Sequence, residues 1–137
     1  MTPETLARIH QAAFTISRGW QSGEFRDLLD SPFCFVVGDD AGFALGREIA
    51  GEAELLTIAV HPDHQGQGLG AKWLAAFHDI ARARGADMAF LEVADDNHAA
   101  IHLYLSAGYR DQSRRKGYYK RPAGPPVDAR ILSRPLT

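Results

Sequence analysis

Two stretches of the chain carry residues whose type and spacing could do chemistry. In Met88-Ala89-Phe90-Leu91-Glu92-Val93 a single glutamate interrupts an otherwise apolar, strand-like run. A carboxylate inside a sheet loses hydration. Glu92 therefore sees water near a strand end, pairs with an arginine, or has a functional role. A few residues on, Asn97, Ile101, Tyr104 and Gly108 fall at i, i+4, i+7 and i+11 of a helical pattern and share one face. Asn97 and Tyr104 can then both point into a cleft beside the strand that carries Glu92. Taken singly, Asn97 also reads as a helix cap and Tyr104 as a core residue with its hydroxyl at the surface.

The second stretch is Ala53 to Gly70, AELLTIAVHPDHQGQGLG. Leu55, Leu56, Ile58, Ala59 and Val60 predict a strand buried on both faces. His61-Pro62-Asp63-His64 ends it, because proline cannot donate to a sheet ladder. Gly66, Gly68 and Gly70 then open a helix whose apolar stripe is Trp73, Phe77 and Ile80. Alternating glycines let backbone N–H groups approach a ligand closely, and a helix N-terminus favours an anion, most often a phosphate. The bland alternative is a flexible connection with no ligand. A nucleotide-triphosphate loop needs Gly-Lys-Ser/Thr, which Gly70-Ala71-Lys72-Trp73 lacks. A dinucleotide fingerprint needs G-x-G-x-x-G, and Gly66-Gln67-Gly68-Leu69-Gly70 has the wrong last spacing. What remains is Gln-x-x-Gly-x-Gly, met by Gln65, Gly68 and Gly70.

Other candidates are weaker. His61-x-x-His64 and His98-x-x-x-His102 have metal-like spacing, yet no cysteine supports them, and no metal is expected. Cys34 is the one cysteine of the chain. It lies in Pro32-Phe33-Cys34-Phe35-Val36-Val37 and reads as a small buried hydrophobe. Six of the 15 basic residues fall in Arg110–Arg121, interleaved with Tyr118 and Tyr119. That pattern could touch nucleic acid, but a solvated face near anionic cofactor phosphates is the preferred reading, and a tyrosine pair shaping an acceptor path the second. With 137 residues, 45% hydrophobic, 23% charged and net charge −2, the composition is that of one ordinary globular domain, not a nucleic-acid binder. The early Glu4 argues against a signal peptide, and no apolar run approaches the roughly 20 residues of a membrane span. The expected location is cytoplasmic.

These residues need elements to hold them. Thr2-Pro3-Glu4 starts a helix with Leu6, Ile9 and Ala13 inward. A break is expected at Ser17 to Gly19, then a helix from Ser22 or Gly23 to Leu29. Phe33–Gly38 and Phe43–Ile49 form a hairpin about Asp39-Asp40-Ala41-Gly42. The central strand follows, then a helix from Leu69 to Arg84 stopped by Gly85. Met88–Val93 is a strand and His98–Ala107 a helix. Tyr109–Arg115 is a strand, Lys116–Pro126 an irregular basic loop, and Val127–Leu132 a last strand. The pattern is an α/β chain: two helices, a meander, then β-α-β-α-β-β, with helices on the faces of a mixed sheet.

Taken in order, Leu56-Thr57-Ile58-Ala59-Val60, Gln65 to Gly70, Leu91-Glu92-Val93, Asn97 to Tyr104 and Ala107-Gly108-Tyr109 resemble the consecutive motifs of the GCN5-related N-acetyltransferases, the GNAT family. The likeness covers about residues 52 to 135. It is greatest for the RimI-type ribosomal-protein-alanine branch, whose Arg-x-x-Tyr-Tyr is matched by Arg115-Lys116-Gly117-Tyr118-Tyr119, with Asp128-Ala129 before the final strand. The resemblance implies a mixed, mostly antiparallel GNAT sheet in a single domain, 1–137, and acetyl-CoA as co-substrate. It implies that N–H groups from Gly66, Gln67, Gly68, Leu69, Gly70 and Ala71, in the motif opened by Gln65, cradle the pyrophosphate. The backbone of Ile58, Ala59 and Val60 would hold the pantetheine arm and place an N–H near the thioester oxygen, and Asn97 would bond the arm. Glu92 would be the base, directly or through water, and Tyr104 the acid for the departing thiolate.

The implied acceptor is a protein N-terminal α-amine, on an alanine-starting ribosomal protein. Its pKa of about 8, against about 10.4 for lysine, leaves it more often neutral near pH 7. The alternatives are a small amine, a lysine or another N-terminus, and, from another class, a non-catalytic acyl-CoA sensor. Two departures bear on acceptor choice. Only Met1 and Thr2 precede Pro3, where the family has a strand, and Gly19-Trp20-Gln21 stands where the branch often has Pro-Trp-Ser.

Overall fold

A computed structural model describes residues 1–14 and 19–137; the predicted break at Ser17 lies outside them. Its helices are α1 (Pro3–Ala13), α2 (Ser22–Leu29), α3 (Leu69–Ala83) and α4 (His98–Ser106). Its strands are β1 (Cys34–Asp39), β2 (Gly42–Ile49), β3 (Glu52–Val60), β4 (Met88–Ala94), β5 (Arg110–Tyr119) and β6 (Val127–Pro135). The Thr2 hydroxyl accepts from the Thr5 N–H at 3.1 Å and caps α1, with proline in the first turn. Gly85, at φ 94°, follows the end of α3, in the left-handed conformation that suits glycine.

The six strands form one sheet in the order β1-β2-β3-β4-β6-β5. Neighbours are antiparallel except β3 and β4, which run parallel. One core lies on the α3/α4 face, around Trp73, Phe77, Leu91, Ile101 and Tyr104. The other lies on the α1/α2 face, around Leu6, Ile9, Phe25, Phe43 and Leu45. The mixed sheet with helices on both faces is the predicted architecture.

Two features differ from the sequence expectation. β5 continues through Tyr119, with an irregular register between Arg115 and Tyr119, where a loop from Lys116 is predicted. β5 is an edge strand exposed along nearly its whole length, so no buried face imposes the apolar alternation by which a strand is read. β6 runs to Pro135 and inserts between β4 and β5.

The sheet is also split. On β2, Leu45 pairs with Thr57 and the next residue, Gly46, with Leu55, so Leu56 is an extra residue in β3. Such a bulge reverses which face the following side chains take. Ala53 and Leu55 pack into the α3/α4 core, whereas Ala59 packs into the α1/α2 core and Ile58 against the α3/α4 side. The parallel β3–β4 ladder ends at Leu55 opposite Leu91, next to the bulge. From Leu56 to Val60 and from Glu92 to Ala94 the two strands continue without pairing each other.

Candidate active site

Beyond this split, β3 runs into the glycine loop. The Gln65 side-chain amide donates to the Val60 carbonyl at 3.0 Å and ties the loop to the strand end. Gly66 and Gly68 have φ of 79° and 76°, and a Cβ built on either would meet nothing within 4 Å. Glycine is required there by backbone conformation and not by crowding. The first helical bond of α3 runs from the Lys72 N–H to the Gly68 carbonyl at 3.1 Å. The N–H groups of Leu69, Gly70 and Ala71 therefore have no acceptor within the helix. No acidic residue sits in its first turn to compete for that positive end. Gly70 lies against α4, since a Cβ there would come within 3.3 Å of Leu103 Cδ2. Exposed glycines, open N–H groups and a helix N-terminus together suit a pyrophosphate.

Glu92 lies at the split on β4. Ala89, Leu91 and Val93 point into the α3/α4 core, so strand alternation turns Glu92 to the α1/α2 face. Its side chain is 24% exposed, and Arg115 Nε stands 3.4 Å from Oε2. The Tyr119 hydroxyl donates to Oε1 at 3.2 Å. Burial, followed by the Glu92 charge and hydrogen bond, pushes the Tyr119 pKa up to about 12. Of the three readings open for this carboxylate, two hold at once: it pairs with an arginine, and it remains in reach of water. Arg115 and Tyr119 arrive from β5 because β6, between the strands, sets Ile131 opposite Glu92 and Ala129 opposite Arg115.

Tyr104 is on the other face. It is 6% exposed, packs in the α3/α4 core and lies 5.9 Å, centroid to centroid, from Tyr109. Burial raises its pKa above the ordinary tyrosine value, so its hydroxyl stays protonated at neutral pH. Asn97 is exposed at the head of α4, where its Oδ1 accepts from the Ala100 N–H at 3.2 Å. Its carbonyl oxygen is a helix cap, which leaves the NH2 group for a ligand. Tyr104 therefore does not share a surface with Glu92: it packs in the α3/α4 core, and strand alternation turns Glu92 to the other face of the sheet.

Half of the basic stretch is paired with carboxylates. Arg121 makes a bidentate pair with Asp96 at 2.7 and 2.8 Å. Arg114 reaches Asp95 at 3.0 Å and Asp128 at 3.6 Å. With Arg115 on Glu92, three of the six basic residues of Arg110–Arg121 face carboxylates. Among the described residues no group of three or more His, Cys, Asp or Glu is placed to hold a metal ion. No helix among them is long and apolar enough to cross a membrane.

The Acetyltransferase (GNAT) family model matches residues 4–109. The chain belongs to the GNAT family. It is an N-acetyltransferase by fold and by relatives. The ribosomal protein bS18-alanine N-acetyltransferase of Escherichia coli (strain K12) is 40% identical over 100 residues, 73% of this chain and 67% of that one. The crystal structure of the ribosomal-protein-alanine N-acetyltransferase from Escherichia coli superposes with a TM-score of 0.87 at 31% identity, covering 98% of this chain and 88% of that one. A Salmonella typhimurium acetyltransferase structure that contains acetyl-CoA matches with a TM-score of 0.71 at 25% identity, covering 97% and 86%.

The sequence marks Tyr118 and Tyr119 as a pair in a basic stretch that could shape an acceptor path, and nothing in it marks His10. The Arg-x-x-Tyr-Tyr pattern was the available signal for Arg115 and Tyr119. Their contact with Glu92 depends on a strand order that the local sequence does not state.

Proposed function

We propose that this chain acts as a single catalytic domain that moves an acetyl group from acetyl-CoA to the α-amine of a protein N-terminus, that of an alanine-starting ribosomal protein. The observation that carries the reading is the split sheet. It has an anion-suited loop at the end of one strand and a water-accessible glutamate on the other, on the face opposite α3 and α4. Donor and acceptor can meet in the gap without passing each other. The bS18-alanine relatives support the choice of acceptor.

Acetyl-CoA supplies an activated acyl group as a thioester. N–H groups from Gly66 to Ala71 bind its pyrophosphate, with Gln65 holding the loop to Val60. The unpaired edge of Ile58, Ala59 and Val60 takes the pantetheine arm by backbone hydrogen bonds and sets an N–H toward the oxygen on which charge develops. The Asn97 NH2 adds a bond to the arm. The amine nitrogen attacks the thioester carbon, Glu92 accepts its proton directly or through a water, and the C–S bond breaks. Tyr104 meets the departing sulfur. Burial keeps its phenol protonated, and in this reading it is the acid that donates its proton to the departing thiolate. Arg115 and Tyr119 hold the Glu92 carboxylate in place until the amine arrives.

Mass spectrometry of acetyl transfer tests the acceptor. The panel is an alanine-starting ribosomal N-terminal peptide, the same peptide with its α-amine blocked and its lysines free, and common polyamines. Transfer to the free α-amine alone is expected. Transfer to the blocked peptide or to polyamines would move the function to another amine, and cofactor binding without any transfer would favour a sensor.

A further inference from the structure

The α1/α2 face holds a buried group that the chemistry above does not use. His10 of α1 is 4% exposed and stacks on Phe14 and Trp20 at 4.2 and 5.1 Å between centroids. Its Nδ1 accepts the Trp20 backbone N–H at 2.9 Å. A nitrogen that accepts carries no hydrogen, so in the neutral ring the hydrogen is on Nε2. Nε2 lies 3.0 Å from Thr57 Oγ1 and donates to it. Burial lowers the His10 pKa to about 4, which keeps the ring neutral and this tautomer in place near pH 7.

Thr57 is the first residue of β3 after the Leu56 bulge, where the strand begins to line the split. Trp20 and Gln21 lead into α2, and the Gln21 N–H is in turn held by Glu24 Oε1 at 3.1 Å. One imidazole thus spans from the wall of the split to the segment entering α2. We infer that His10 is a positioning residue: it fixes the Trp20-Gln21 segment to β3 and so sets the acceptor-side wall opposite Glu92. The inference rests on the reading that the amine approaches Glu92 from the α1/α2 face. A satisfied core histidine would contribute stability alone. This one also couples a loop segment to the strand that the donor uses, through two directional bonds.

The test uses Thr57→Val, which keeps shape and removes the acceptor for Nε2–H, with Thr57→Ser as the conservative rescue and His10→Gln as a second break. Amide hydrogen exchange at Trp20 reports the strut without any need for turnover. The KM for the acceptor peptide, against the Kd for acetyl-CoA, reports positioning. Thr57→Val should speed exchange at Trp20 and raise the peptide KM roughly tenfold, the order expected for a buried donor left unpaired. The acetyl-CoA Kd should stay unchanged, and Thr57→Ser should restore both readouts. Unchanged exchange at Trp20 would overturn the strut. Faster exchange with an unchanged peptide KM, or an equal loss for peptide and cofactor, would overturn the positioning role. Absence of transfer from the unmodified enzyme to the peptide would overturn the acceptor reading on which the role rests, before any variant is made.

Discussion

The faces of the split sheet proposed here for donor and acceptor are assembled from different materials. The donor face is one continuous stretch, from the Leu56 bulge to Ala71, and it offers backbone groups: an unpaired strand edge, two left-handed glycines and the open N–H groups of α3. The acceptor face is made of side chains gathered from afar. Glu92 comes from β4, Arg115 and Tyr119 from β5, and Trp20 is held by His10 of α1. A backbone site tolerates side-chain change but not a change of φ. A side-chain site fails one residue at a time. Substitutions should therefore separate the two faces cleanly, one set touching cofactor affinity and the other turnover.

The sharpest separation is expected at Glu92. Glu92→Gln keeps the size and the bond from Tyr119, and turnover should fall roughly 10²–10⁴-fold, the range for loss of a general base. Calorimetric affinity for acetyl-CoA should be unchanged; full turnover across pH would remove Glu92 as the base. Gly68→Val tests the opposite face. A side chain there meets open space, yet it must adopt φ near 76°, at a cost of order 1–3 kcal/mol. Acetyl-CoA binding should weaken by roughly tenfold or more, and tight binding in calorimetry would reject the loop assignment. Tyr119→Phe is the finer probe. It removes the 3.2 Å, part-buried bond to Glu92 and should lower kcat/KM by a few-fold, about the 1 kcal/mol of one ordinary hydrogen bond, without altering the cofactor Kd. An effect on the cofactor would blur the division between faces.

The pH dependence of stability is the mildest effect near neutrality, and it acts on both faces. His10 packs on the α1/α2 side and His78, of α3, bonds the Tyr109 hydroxyl at 2.8 Å. Burial lowers both to about 4, below the unfolded value near 6.5. The unfolded chain therefore binds more protons, and stability is fully present above about pH 6.5 and lost as pH falls toward 4. Each histidine removes up to about 1.4 kcal/mol per pH unit in that window. Urea melts at pH 7 and pH 5 should show the loss, and His78→Gln should flatten part of the slope. A melt independent of pH would mean that the rings are not held neutral.

Local sequence carries the order of elements, the mixed sheet between helices and the continuous glycine loop. Each is local: glycine spacing, an apolar strand, capping residues and a helical stripe act over a few positions, and the chain displays them in order. It also singled out Glu92, because a charge in an apolar strand is conspicuous whatever surrounds it. Tertiary pairing sets which face Glu92 takes, puts Tyr104 across the sheet from it, brings Arg115 and Tyr119 to its carboxylate, and lets His10 bridge Trp20 and Thr57. Those outcomes follow from β6 inserting between β4 and β5 and from one extra residue at Leu56. Strand order and register are set by pairing between distant segments, and a shift of one residue turns every later side chain to the opposite face.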